Sequence, residues 1–179
     1  MLIFIDIETT GLDRVRDNMV SLGAVTEDGK NQFYLECRLE PGDSCSQEAL
    51  AINGFTADQL WDKEKPTRGQ VYHDFVRWVK DIEKVYGEPI TLAGENIASF
   101  DAIFLRKAFD GKLSFGKDWP FGHRFFDTHT IAQFFLHKSQ SLDKSLEALG
   151  LDPETKPHNA LNGAKAAQRL YAELRKESI

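Results

Sequence analysis

Two acidic residues close the first apolar run of the chain. Met1 to Ile7 is rich in Ile, and Asp6 and Glu8 fall at its carboxyl end. On a strand, side chains two apart point to one face, so both carboxylates share a side and can hold one divalent cation. Such a cation offsets the cost of placing two like charges on an otherwise apolar face. Alone the pair is a weak signal: with 28 acids in 179 residues, about four acid-x-acid pairs arise from composition. The residues that follow sharpen it. Thr9-Thr10-Gly11 is a small polar turn able to present backbone N–H groups to an anion, which suits a phosphate-bearing substrate.

Asp101 follows Gly94-Glu95-Asn96 and falls in the first turn of an expected helix, where the helix dipole favours a carboxylate. Taken alone, that dipole explains Asp101 as well as a metal role does. Loops after strands of an α/β sheet are where sites form, however, and the fourth strand is expected beside the first. His158 follows Pro157 and is expected to open the last helix. Near neutral pH an imidazole there can take a proton from an attacking water. His73, His123, His129 and His137 have no acid at metal-ligand spacing and read as structural or surface groups.

The elements that must position these residues begin with three strands, Met1–Ile7, Met19–Thr26 and Asn31–Leu39, the last two joined by an Asp28-Gly29 hairpin signal. Joined so tightly, the three should pair antiparallel. Helical spacing follows over Ser46–Asn53, with a short turn over Thr56–Trp61. Thr67 and Gln70 form a capping box ahead of Val71, Phe75, Trp78, Val79, Ile82 and Tyr86. A strand over Pro89–Gly94, a helix over Ala102–Phe109 capped by Ser99, and a short strand at Phe125-Phe126-Asp127 come next. Helices over Thr130–His137, from Ser141 to Gly150, and after Pro157 complete an α/β order with a mixed sheet.

Length and composition set the frame. The 179 residues suit one domain, and 41% apolar residues exclude a disordered chain. No run approaches the ~18 apolar residues of a membrane span, so no membrane partner is expected. Met1–Ile7 lacks a basic start and is not read as a signal peptide. Two cysteines, Cys37 and Cys45, form no disulfide framework, and a cytoplasmic location is expected. The net charge of −6 excludes a protein that coats nucleic acid electrostatically, so any such contact must be local. Arg14, Arg16, Arg106, Lys107, Lys117 and Arg124 are the candidates for it.

Three segments together carry a family resemblance. Asp6-Ile7-Glu8-Thr9-Thr10-Gly11-Leu12, Asn96 through Phe100-Asp101, and His158-Asn159-Ala160-Leu161-Asn162-Gly163-Ala164 resemble, in this order, the exonuclease motifs of DnaQ-like 3′→5′ exonucleases. This is the DEDD superfamily in its histidine-containing branch, and the resemblance spreads over nearly the whole chain. It implies a ribonuclease-H-like α/β fold over residues 1–179, with a five-stranded mixed sheet, three strands antiparallel and then two parallel, flanked by helices. It also implies that Asp6, Glu8 and Asp101 bind two Mg2+ or Mn2+ ions and that His158 is the general base. Thr9, Leu12 and Asn96 match substrate positions, with Leu12 packing on the terminal base. The implied substrate is a single-stranded DNA or RNA 3′ end, released as nucleoside 5′-monophosphates. Some relatives dimerise, so a homodimer is a further implied partner.

Two departures stand out. Asn96 lies five residues before Asp101, where many relatives have their Asn one residue nearer. The family's fourth carboxylate falls five residues after the histidine, and here that residue is Gly163. Asn162 is neutral and about 100° around the helix, a poor substitute. Loss of this group should impair the activity of the chain. An introduced inactivating change, a natural nuclease with a weakened or rewired site, and a catalytically silent nucleic-acid- or partner-binding module are three readings of the glycine.

Overall fold

A computed structural model describes residues 1–112 and 118–176. Five strands form one mixed sheet in the order β3-β2-β1-β4-β5. β1 (Leu2–Thr9), β2 (Met19–Thr26) and β3 (Gln32–Glu36) are an antiparallel meander, while β4 (Thr91–Gly94) and β5 (Phe126–Asp127) run parallel to β1. The ribonuclease-H-like arrangement expected from the motifs is the one observed.

Alternation along β1 sorts its side chains onto two layers. Ile3, Ile5 and Ile7 enter the main core, with Val71, Phe75 and Val79 of α3 (Arg68–Tyr86) and Phe104 and Leu105 of α4 (Asp101–Asp110). Phe4 faces the opposite layer, where Ala164 and Ala167 of α7 (Ala160–Lys176) cover it. α5 (Thr128–Leu136) and α6 (Leu142–Ala148) pack on the outer side of α7 through Ala132, Leu146 and Leu170. α1 (Gln47–Asn53) and α2 (Ala57–Leu60) close the end of β2 around Val20, Leu39 and Leu60. No helix among the described residues is long and apolar enough to cross a membrane.

Most element starts follow their caps. Thr67 and Gln70 form the reciprocal capping box expected, and Ser46 and Ser141 cap α1 and α6. Two starts differ. Ser99 does not cap α4: its Oγ donates to the Asn96 carbonyl, and the helix begins at Asp101 without a side-chain cap. His158 does not open α7. Asn159 Oδ1 accepts from the N–H groups of Leu161 and Asn162, as an N-cap does, so His158 stays in the preceding loop.

Candidate active site

The end of β1 carries the acids. Its register against β2 slips between Glu8 and Thr9, a bulge of the kind that re-aims side chains at sites. Asp6 lies opposite Gly23 of β2. A Cβ on Gly23 would collide with the backbone of Ala160 and Leu161. That glycine therefore lets the start of α7 lie directly on the sheet, beside Asp6. β4 pairs with β1 only as far as Phe4, so the strand end and the loop from Glu95 to Phe100 are free to form a cleft.

The cleft, of about 380 Å3, is lined by Asp6, Asp101, Glu154 and Gly163, with Arg14, Glu95 and Asn96 at its walls. Asp101 is 2% exposed, and its Oδ1 has no hydrogen-bond partner. Burial pushes the Asp101 carboxyl up to about 8. Asp6 is raised well above the carboxylate range, first by burial, then by the charges of Asp101, Glu8 and Glu154. Burial likewise lifts Glu8 to about 7, with Glu154 adding to the rise and His158 opposing it.

His158 is held from two sides. Its backbone N–H donates to Ile52 O of α1 (3.1 Å), and its Nδ1 lies 2.8 Å from Glu154 Oε2. The first and third motifs thus meet at one end of the sheet, with Asp101 of the second. Spacing did not reveal Glu154, which sits in the irregular segment before α7. Its one sequence signal is an acid four residues ahead of His158. His129, which has no acid at metal-ligand spacing, pairs through Nδ1 with the distant Glu95 Oε1 at 3.2 Å. The two are 34 residues apart, beyond any motif spacing.

Beside the cleft is a second, more apolar hollow of about 350 Å3, lined by Glu8, Thr9, Leu12, Ala49, Ile52 and Phe100. Leu12 is 82% exposed at its edge. Thr9 is buried: its hydroxyl donates to Gly11 O at 2.7 Å, and its own carbonyl accepts from Asn53 Nδ2 at 3.3 Å. Asn96 is exposed at φ 52°, and its carbonyl accepts from the Ser99 and Phe100 N–H groups, so it shapes the turn into α4.

Of the basic candidates, Arg14 reaches the cleft wall. Arg106 is buried and paired with Asp110 and Asp118. Lys107 is spent on the Asp13–Asp17 loop, donating to Val15 O and Asp17 O, both at 2.7 Å. Arg16 and Arg124 are exposed, and Lys117 lies outside the described residues.

Among the described residues, no three His, Cys, Asp or Glu side chains stand as a ready metal cage. The donor set nevertheless fits a hard cation. Asp6, Glu8 and Asp101 are oxygen donors at one strand end, all disfavoured as anions by burial, and one buried oxygen is unpartnered. Gly163 faces this set directly. A Cβ there would stand 2.7 Å from Cγ of Asp6 and nearer still to its Oδ2, so any side chain at 163 requires Asp6 to turn away.

Comparison with known proteins agrees with the family resemblance. The chain matches the exonuclease family (RNase_T) over residues 3–171. It is 29% identical to the PolC-type DNA polymerase III of Thermotoga petrophila over 94% of the chain but 11% of that protein. It is 31% identical to the DNA polymerase III epsilon subunit of Treponema pallidum, over 72% of the chain and 53% of the subunit. Ribonuclease T of Escherichia coli is 28% identical across 96% of the chain and 83% of the enzyme. The chain thus spans about a tenth of the polymerase and about half of the epsilon subunit. Among solved structures, the nuclease domain of 3′hExo, a DEDDh protein bound to rAMP, superimposes with a TM-score of 0.75 at 18% identity, over 98% of this chain and 92% of that domain. E. coli exonuclease I, in its zinc-bound complex with single-stranded DNA, gives 0.71 at 17% identity, over 99% of this chain and 40% of that one. With the family match covering almost every residue, the chain belongs to the exonuclease family.

Proposed function

We propose that residues 1–179 act as one exonuclease domain that removes nucleotides from single-stranded 3′ ends, with activity held down by Gly163. The observation that carries this is the convergence of Asp6, Asp101 and Glu154 on one cleft, with a buried, unpartnered Oδ1 on Asp101. Asp6, Glu8 and Asp101 would hold Mg2+ or Mn2+. When bound, a pair of such ions activates the attacking water and stabilises the leaving 3′-oxygen.

The residues of the chain supply the rest. His158 accepts the proton of the attacking water on an imidazole nitrogen. Leu12 and Ile52 offer the terminal base an apolar bed, and Thr9 holds the strand end beneath it through Gly11. Arg14 faces the phosphate side of the cleft, and Asn96 shapes the loop along it. Such short-range contacts are compatible with the net charge of −6. Names of the relatives support the substrate class: exonuclease I carries single-stranded DNA and the 3′hExo nuclease domain carries rAMP.

Gly163 leaves the cleft without the carboxylate that the family pattern places there. Restoring it is the test. A 5′-labelled oligonucleotide, as DNA and as RNA, is incubated with Mn2+ or Mg2+ and either this chain or Gly163→Asp. The expected result is a ladder shortening from the 3′ end, formed about tenfold faster by Gly163→Asp, in which Asp6 rotates to make room for the new Cβ and both carboxylates face the ions. Intact substrate with both proteins, despite measurable binding, would overturn the proposal in favour of a silent nucleic-acid-binding module.

A further inference from the structure

Glu154 belongs to none of the three motifs, yet it is the best-anchored acid at the site. Its side chain is 7% exposed. Oε2 lies 2.8 Å from His158 Nδ1, and Oε1 accepts the Asn159 N–H at 3.3 Å. Its own backbone N–H donates to Asp143 Oδ1 at 3.0 Å, so the segment bearing it is tied to α6. The imidazole is thereby fixed at both ends of its residue, by Ile52 O on the backbone and by Glu154 on the ring. Among the described residues, no Lys or Arg forms an ion pair with Glu154, so His158 is its basic partner.

We infer that Glu154 is the positioning residue for His158, selecting the tautomer in which Nδ1 carries the proton. This rests on the nuclease reading above, in which His158 is the base. The physical reason is simple. An ionised carboxylate can only accept, so a neutral imidazole 2.8 Å from it must present Nδ1–H. Nε2 is then the nitrogen with a free lone pair, and it alone can take a proton from water. A free imidazole divides its proton between the two nitrogens, and each molecule in the wrong form is idle. A carboxylate behind a histidine also holds the ring at one angle and stabilises the imidazolium that forms. Glu154 further lines the same cleft as Asp6 and Asp101, so its charge falls where the imidazolium develops.

The test compares wild type, Glu154→Ala and Glu154→Gln, each first checked for an unchanged far-UV spectrum. Nitrogen-15 NMR of labelled histidine reads the His158 tautomer, and single-nucleotide release is followed under saturating Mn2+. Glu154→Ala should move the proton from Nδ1 toward Nε2 and lower kcat about 10–100-fold, with KM within about twofold. Glu154→Gln keeps an acceptor oxygen, so it should retain the Nδ1–H form and recover part of kcat. A merely structural role for Glu154 would change stability or KM and leave the tautomer alone. If wild type cleaves and Glu154→Ala cleaves equally fast with Nδ1 still protonated, the inference falls while the nuclease reading stands. If neither wild type nor Gly163→Asp cleaves, the nuclease reading falls and takes the role of His158 with it; if only Gly163→Asp cleaves, the Glu154 variants are compared in that background.

Discussion

The two faces of β1 obey opposite rules. On one, Ile3, Ile5 and Ile7 are at most 4% exposed and pack within the main apolar cluster. On the other, Phe4 is sealed beneath α7, and two and four residues later come Asp6 and Glu8, carboxyls that burial disfavours as anions. Burial on the first face stabilises the fold at about 25 cal/mol per Å2 of apolar surface. Burial on the second costs free energy, and the first offsets it. A strand that kept only stability would carry apolar residues at 6 and 8. The acids mark where the fold yields to chemistry.

The strongest way to break the acidic face is Asp101→Asn. It removes a charge from the cleft while keeping the shape, and activity should fall on the order of 10^3-fold, the scale of losing a cation ligand. Stability should move the other way, because a neutral amide is easier to bury than a carboxylate raised to about 8. Initial rates and thermal melts of the metal-free protein check both signs. A variant that lost activity and stability together would place Asp101 in the scaffold alone.

Ile5→Ala breaks the opposite face. Ile5 is 1% exposed in the middle of the core, and truncation should cost about 2–5 kcal/mol in urea denaturation. Below its melting range the variant should keep wild-type kcat, since no cleft residue moves. Loss of kcat in the folded protein would mean that the two faces are coupled more tightly than their separate clusters indicate.

The third test titrates the acidic face. Glu8 and Asp101 ionise near 7 and 8 in the folded chain, against 4.5 and 3.8 for the free side chains. A group raised by folding favours the folded state at low pH and withdraws that support as pH climbs through its folded value. The metal-free protein should therefore be most stable near pH 5 and lose on the order of 5–10 °C in Tm by pH 8. Millimolar Mn2+ or Mg2+ should restore most of it at pH 8 and little at pH 5, where protons compete for the same oxygens. A Tm independent of pH and cation would remove the argument for a cation at this cleft.

How much of this was legible before any fold was known differs between the faces. The apolar face follows from period-two Ile residues, and the meander from the Asp28-Gly29 hairpin, whose glycine adopts φ 75°. The acid pair on β1 and the placing of Asp101 in the first turn of α4 also followed from spacing. Contacts between distant irregular segments did not. Glu95 with His129, and Glu154 with His158, depend on how loops close over the sheet. α7 starts beyond the expected His158 because Asn159, a better cap, bonds the first turn. Gly163 was visible as a departure, but only the close approach of α7 to Asp6 explains why a side chain there must displace a carboxylate.

The mildest test probes the apolar hollow beside the acids. Leu12 is 82% exposed at the edge of this hollow, where a bound base would cover it. It lines the same hollow as Ile52 and Ala49 of α1. Leu12→Ala removes roughly half of that bed and should raise KM about two- to fivefold, the effect of about 1 kcal/mol of lost apolar contact. kcat should hold, because the truncated group touches the base and not the scissile phosphate, so it binds ground state and transition state alike. Steady-state rates on oligonucleotides that differ only in the terminal base separate the cases. Equal KM increases for purines and pyrimidines indicate packing on the ring faces. A fall in kcat with KM unchanged would show instead that Leu12 orders the Thr9–Gly11 turn beneath the acids, and the division between the two halves of the site would have to be redrawn.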